Sequence, residues 1–147
     1  IPEETAINNL KHTMLFTKAM KKLGCMVALE HYAATTQPQL LKHIQVDYLK
    51  IEASLIRDLG ATKESRTKVR AIIDRARQYN LRCVAERVDS ASNLALLWEV
   101  GADFAQGNFI QEPGKEIDYD FFGEIETQDI PQPLDHQRNT KLREETV

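Results

Sequence analysis

Six positions carry the chemistry open to this chain: Glu30, Lys50, Glu86, Asp89, Gln106 and Gly107. Each lies at or just beyond the end of a short apolar run. Met26-Val27-Ala28-Leu29 leads into Glu30-His31, residues 46–51 hold Lys50 and lead into Glu52, and Cys83-Val84-Ala85 leads into Glu86. A charge in line with a buried face is costly unless a partner or a ligand uses it. Carboxylates beside an ammonium and an amide can hold a hard cation through oxygen, or can grip a polar ligand. The structural alternative is an ion pair between Glu86 and Lys50 on adjacent strands, which stabilises little but is costly to break. Asp89 also suits a helix N-terminus, which attracts carboxylates whatever their use. Gln106-Gly107 also reads as a plain strand-end turn. His31 reads as a histidine at the solvent edge, with metal ligation as the alternative. His12, His43 and His136 belong to no constellation.

The elements that must position these residues alternate between two periods. Residues 5–23 are helical in character, a short piece near residues 5–9 leading into a longer helix, with Phe16, Ala19, Met20 and Leu23 on one face. Gly24 ends it. A first strand over residues 26–29 follows, then a polar loop and a short helix from Pro38 to about His43. Residues 46–51 form the second strand, with Tyr48, Lys50 and Glu52 on one face and Leu49 and Ile51 on the other. After a helical turn ending at Gly60, residues 63–79 form the clearest helix, striped by Val69, Ile72, Ile73 and Ala76. Residues 82–86 are the third strand, with Val84 and Glu86 opposite Cys83 and Ala85. Ser90 or Ser92 caps the next helix, whose apolar face is Leu94, Leu97, Trp98 and Val100, and Gly101 closes it. Residues 103–106 make a short fourth strand.

Helices alternating with strands mean a parallel sheet, so the fold class is α/β. Parallel strands deliver their C-terminal ends to one edge, where ligands bind. Glu30, Lys50, Glu86 and Gln106 share that edge, and strand parity puts them on one face. A receiver-type α/β domain is the alternative fold, but it needs a phospho-accepting aspartate at a strand end, and none is found.

With 147 residues the chain suits one domain. Apolar residues make up 42% and charged residues 28%, as in ordinary globular proteins. A net charge of −3 argues against a nucleic-acid polymer or an anionic membrane as partner. No apolar run approaches the ~20 residues of a membrane span, and the first residues lack the features of a signal peptide. Cys25 and Cys83 read as small core thiols in a reduced, cytoplasmic setting. Residues 114–147 read as an acidic tail, partly docked through Phe121 and Phe122.

The residues also carry a family resemblance. Val-Ala-Leu-Glu-His-Tyr-Ala (residues 27–33) resembles the Asp-Asp-Phe-Gly segment of EAL domains, the cyclic di-GMP phosphodiesterases. Val-Asp-Tyr-Leu-Lys-Ile-Glu (residues 46–52) is similar to their Lys-Ile-Asp strand, and Ala-Glu-Arg-Val-Asp (residues 85–89) to Ala-Glu-Gly-Val-Glu. Gln106-Gly107 with Pro113 resembles their closing element, and Glu4 or Glu3 resembles the glutamate of a central strand end. Order and intervening helices match over residues 1–113. The resemblance implies a parallel (β/α) half-barrel, the C-terminal part of an EAL-type modified TIM barrel. A whole (β/α)₈ barrel takes ~250 residues, so the rest of a parent chain or a second copy is expected to complete it.

Active members of the family hydrolyse a phosphodiester with two metal ions held by carboxylates. Here the paired aspartates correspond to Glu30 and His31, and the Glu-Ala-Leu signature is absent. The resemblance is therefore to degenerate, FimX-type EAL domains, which bind cyclic di-GMP without cleaving it and regulate type IV pili. It implies nucleotide contacts from Glu86, Asp89 and Gln106, with Gly107, Lys50 and Glu30 in the same site. No catalytic residue and no metal ligand is assigned, and Mg²⁺ or Mn²⁺ enters only with residual hydrolytic activity. The expected function is a cyclic di-GMP receptor acting through a PilZ-type adaptor. The alternatives are a residual metal-dependent phosphodiesterase and a nucleotide-free interaction or dimerisation module.

Overall fold

Burial alternates along each strand, and that alternation decides the architecture. Leu29, Leu49, Ile51, Cys83 and Ala85 are fully buried, whereas Tyr48, Lys50 and Val84 between them are only half-buried. Among the described residues, one face of the sheet is packed and the other is open. The computed structural model describes residues 1–33 and 39–114, and the expected tail contacts of Phe121 and Phe122 lie outside them.

Four strands, β1 (Ala28–Tyr32), β2 (Tyr48–Ile51), β3 (Arg82–Ala85) and β4 (Phe104–Ala105), pair in parallel in the order β1-β2-β3-β4. A doubly wound sheet, the receiver type included, reverses its strand order part-way and carries helices on both faces. Here the order follows the chain without reversal, and the described residues form a partial (β/α) barrel whose interior face none of them covers. Ile1-Pro2 extends the sheet beyond β1: the Glu30 N–H donates to the Ile1 carbonyl at 2.8 Å, and Pro2 bridges to Glu30.

The helices α1 (Glu3–Asn8), α2 (Leu10–Lys22), α3 (Ala53–Arg57), α4 (Lys63–Gln78) and α5 (Ala91–Val100) follow from their sequences. Thr62 caps α4 and Ser90 caps α5, each hydroxyl accepting from the N–H three residues on. The expected stripe of α4 (Val69, Ile72, Ile73, Ala76) is buried against β2 and β3. Gly101 takes φ +87° to close α5, and the Arg77 guanidinium donates to its carbonyl at 2.8 Å. Cys83 lies in this core, and burial pushes its thiol up to about 12, which keeps it inert.

Four expectations are corrected. Strand β1 starts at Ala28 and runs on to Tyr32, through Glu30 and His31. Cys25 is exposed, because the strand starts three residues after it. The apolar side of α2 also faces outward: Phe16, Ala19 and Leu23 are exposed and Met20 half-buried, while Thr13 and Thr17 are buried. Polar ties from the helix to the start of β2 set that rotation. The Gln45 N–H donates to Thr17 Oγ1 at 3.3 Å, and Lys21 Nζ pairs with Asp47 at 2.5 Å. On α5, Leu97 and Val100 are buried, but Trp98 is 46% exposed, one residue beyond the packed stripe.

Candidate functional site

Lys50 organises the C-terminal rim of the sheet. It sits in the central strand β2, flanked by β1 and β3, on the open face. Its ammonium lies 3.2 Å from Glu30 Oε1 and 2.5 Å from Glu86 Oε1. The hydrogen bond to Glu86, and then that to Glu30, hold Lys50 above the usual lysine range in spite of partial burial. Glu30 lies below the ordinary carboxylate range, chiefly because it accepts from Lys50. The interior ion pair read from sequence is present, enlarged to a triad.

A bulge delivers Glu30. Leu29 pairs with Leu49 and Tyr32 with Ile51, so Glu30 and His31 together stand opposite Lys50. Leu29 and Tyr32 both stay in the core, while His31 adopts φ +56° and meets Glu52 Oε2 at 3.2 Å. Glu52 also accepts from Ser54 N–H at the start of α3.

Beside the triad is a cleft of about 530 Å³ walled by His31, Glu86, Arg87, Asp89 and residues 106–108. Two backbone segments make its floor. The Gln106 N–H donates to Ala85 carbonyl oxygen at 2.8 Å, the Val88 N–H to Gln106 oxygen at 3.0 Å, and the Phe109 N–H to Val88 oxygen at 3.1 Å. Gly107 permits that approach, since a β-carbon there would lie 2.3 Å from Val88 N. A second cleft of about 510 Å³ lies on the other side of His31, lined by Pro2, Glu3, Glu4, Ile7 and Asn8. Glu3, in α1, is buried, which raises its carboxyl above the ordinary range. Its Oε2 accepts from Ala33 N–H at 3.1 Å, while Oε1 has no partner among the described residues.

All six positions singled out from sequence thus lie at one rim. Glu86, Asp89, Gln106 and Gly107 line the cleft, and Lys50 and Glu30 stand behind Glu86. Sequence reasoning missed Arg87 and Asn108 as lining residues and undervalued His31. Arg87 carried one signal, since it occupies the place of glycine in the Ala-Glu-Gly-Val-Glu segment it resembles.

The donor set decides what the rim can hold. Two-metal chemistry needs several hard oxygen ligands around each ion. Among the described residues no three His, Cys, Asp or Glu side chains gather so as to hold a metal. Glu30 and Glu86 instead share the Lys50 ammonium. These residues by themselves do not fit a metal centre.

Residues 1–113 match the EAL domain family. This chain belongs to that family. Its EAL portion is 32% identical to the crystal structure of the FimX EAL domain from Pseudomonas aeruginosa bound to c-di-GMP, with a TM-score of 0.77, covering 82% of this chain and 50% of that one. The Xanthomonas citri FimX EAL domain, solved in complex with c-di-GMP, is 28% identical with a TM-score of 0.77, over 82% of this chain and 48% of that one. Cyclic di-GMP phosphodiesterase PdeB of Shewanella oneidensis is 30% identical over 114 residues, 77% of this chain and 13% of that protein. The chain therefore spans about half of the crystallised EAL domains and a small part of this curated relative. No helix among the described residues is long and apolar enough to cross a membrane.

Proposed function

We propose that this chain is part of a non-catalytic cyclic di-GMP receptor, cytoplasmic, that passes ligand state to a protein partner in type IV pilus or motility control. The observation that carries the reading is the state of the rim carboxylates. Glu30 and Glu86 are both paired with Lys50 rather than gathered around a metal site, while a polar cleft stays open beside them. Such a rim suits recognition better than hydrolysis. Guanine offers N–H donors, which Asp89, Glu86 and the Gln106 amide can accept. The likeness to two FimX EAL domains solved with c-di-GMP supports the ligand. A PilZ-type adaptor is the partner expected from the sequence resemblance. The open interior face of the sheet is to be covered by the remainder of a parent chain or by a second copy.

Equilibrium binding of cyclic di-GMP to the protein in its full-length form, with and without Mg²⁺ or Mn²⁺ and with an assay for linear dinucleotide, tests the reading. Binding without metal and without turnover is expected. Metal-dependent linear product would make the protein a phosphodiesterase instead, and no binding would leave an interaction module. In the same assay Glu86→Ala is expected to weaken binding about tenfold or more with the fold intact, as for a lost charge-assisted hydrogen bond. Unchanged affinity would make Glu86 purely structural.

A further inference from the structure

Three residues other than glycine adopt a positive φ among the described residues: His31 (56°), Asn80 (56°) and Arg87 (57°). Asn80 lies just past the end of α4, where asparagine commonly takes this conformation to close a helix. The other two both line the rim cleft. A β-carbon disfavours this backbone region, and strained residues gather where a site makes use of them.

The backbone around Arg87 leaves it no other course. Before it, the Ala85 carbonyl is tied to Gln106 N–H; after it, Val88 is fully buried and hydrogen-bonded through both N–H and carbonyl oxygen. The chain must turn sharply between these anchors, and the turn leaves the Arg87 side chain exposed at the cleft. Charge singles it out further. Lys50 is held by Glu30 and Glu86, and His31 by Glu52. Arg87 makes no ion pair among the described residues. Its guanidinium has five donors in a planar fork, cannot be deprotonated, and matches phosphate oxygens two at a time.

We infer that Arg87 is the phosphate anchor of the cleft, its guanidinium turned to the rim beside Glu86 so as to take phosphodiester oxygens of the cyclic dinucleotide. The neighbouring acceptors, Asp89 and the Gln106 amide, are left to the base. The assignment rests on the proposed receptor function and adds to it the residue that supplies cationic charge at a rim rich in carboxylates.

Calorimetric titration of the full-length protein with cyclic di-GMP at several salt concentrations tests it. Arg87→Gly removes the guanidinium and accepts the positive φ freely, so thermal stability is expected to hold or rise. Affinity is expected to fall at least tenfold, with a shallower dependence on salt. Arg87→Lys keeps the charge without the fork and is expected to fall between the two. If Arg87→Gly bound as tightly as the unaltered protein, with the same salt dependence, the assignment would be overturned and the receptor reading would stand. If the unaltered protein bound no cyclic di-GMP, both would fall. Should the glycine variant fail to fold, Arg87→Lys decides, and undiminished affinity there overturns the anchor.

Discussion

At the scale of single residues, strain and charge make separable predictions. A left-handed conformation costs a residue with a β-carbon roughly 1–2 kcal/mol, and glycine gives back roughly 0.5–1 kcal/mol through its freer unfolded chain. Arg87→Gly should therefore stabilise the fold by about 0.5–1 kcal/mol in urea titration, as its affinity for nucleotide drops. The Lys50 triad behaves differently. Glu30 is depressed below its ordinary 4.5, so its contribution is present above that value and is lost as pH falls through the lower folded-state value. Lys50 is raised above its ordinary 10.5, so its contribution is complete below 10.5 and disappears as pH rises through the higher folded-state value. Stability measured against pH should show a plateau between those limits, and Lys50→Ala should flatten the fall at both ends, because the Lys50 titration is gone and Glu30 loses the main cause of its depression. The same variant should destabilise by about 2 kcal/mol at neutral pH, because it strands the largely buried Glu86 carboxylate. A loss below about 0.5 kcal/mol would show that water serves Glu86 equally well.

At the scale of elements, Gly107 is the closest fit in the site. A methyl group there meets the Val88 backbone, which cannot swing aside as a side chain would. Gly107→Ala should cost about 3 kcal/mol in chemical denaturation and weaken ligand binding by parting residues 86–89 from residues 106–109. In the core, Ile73→Ala should cost about 3 kcal/mol. The packing that makes Ile73 matter was legible in sequence, since Val69, Ile72, Ile73 and Ala76 recur at a helix's own period. So was the shared rim, because parity along β2 and β3 places Lys50 and Glu86 on one face. The turns were not legible. Counting in twos presumes a regular strand, and neither Glu30 nor His31 announces a bulge as glycine would. Nothing local to Arg87 demands a positive φ; its anchors lie twenty residues away, at residues 106–109. The rotation of α2 likewise depends on Gln45 and Asp47, beyond the reach of any stripe drawn on the helix itself.

At the largest scale, the open face is the dominant feature of the described residues. Met26, Tyr48, Arg82 and Phe104 lie along it: the Tyr48 hydroxyl meets Met26 Sδ, the Tyr48 and Phe104 rings are 6.1 Å apart, and the Arg82 guanidinium stands 5.7 Å from the Phe104 ring centre. Met26 is 70% and Phe104 39% exposed. In a closed barrel such side chains fill the interior. The 147-residue chain studied alone should therefore self-associate at micromolar concentration in analytical ultracentrifugation, and Phe104→Glu should shift it toward monomer. A monodisperse monomer with Phe104 intact would show that the half-barrel tolerates its bare face.

The strand order has a consequence for how the molecule comes into being. Every rung of the sheet joins neighbours in sequence, so each strand can dock as it leaves the ribosome without waiting for a distant partner. The last rung, β4, is only two residues long, yet it is continuous with the Gln106-Gly107 segment that forms the cleft floor. The four-stranded framework is thus laid down before the floor of the cleft, which forms only once residues 106–109 have joined it.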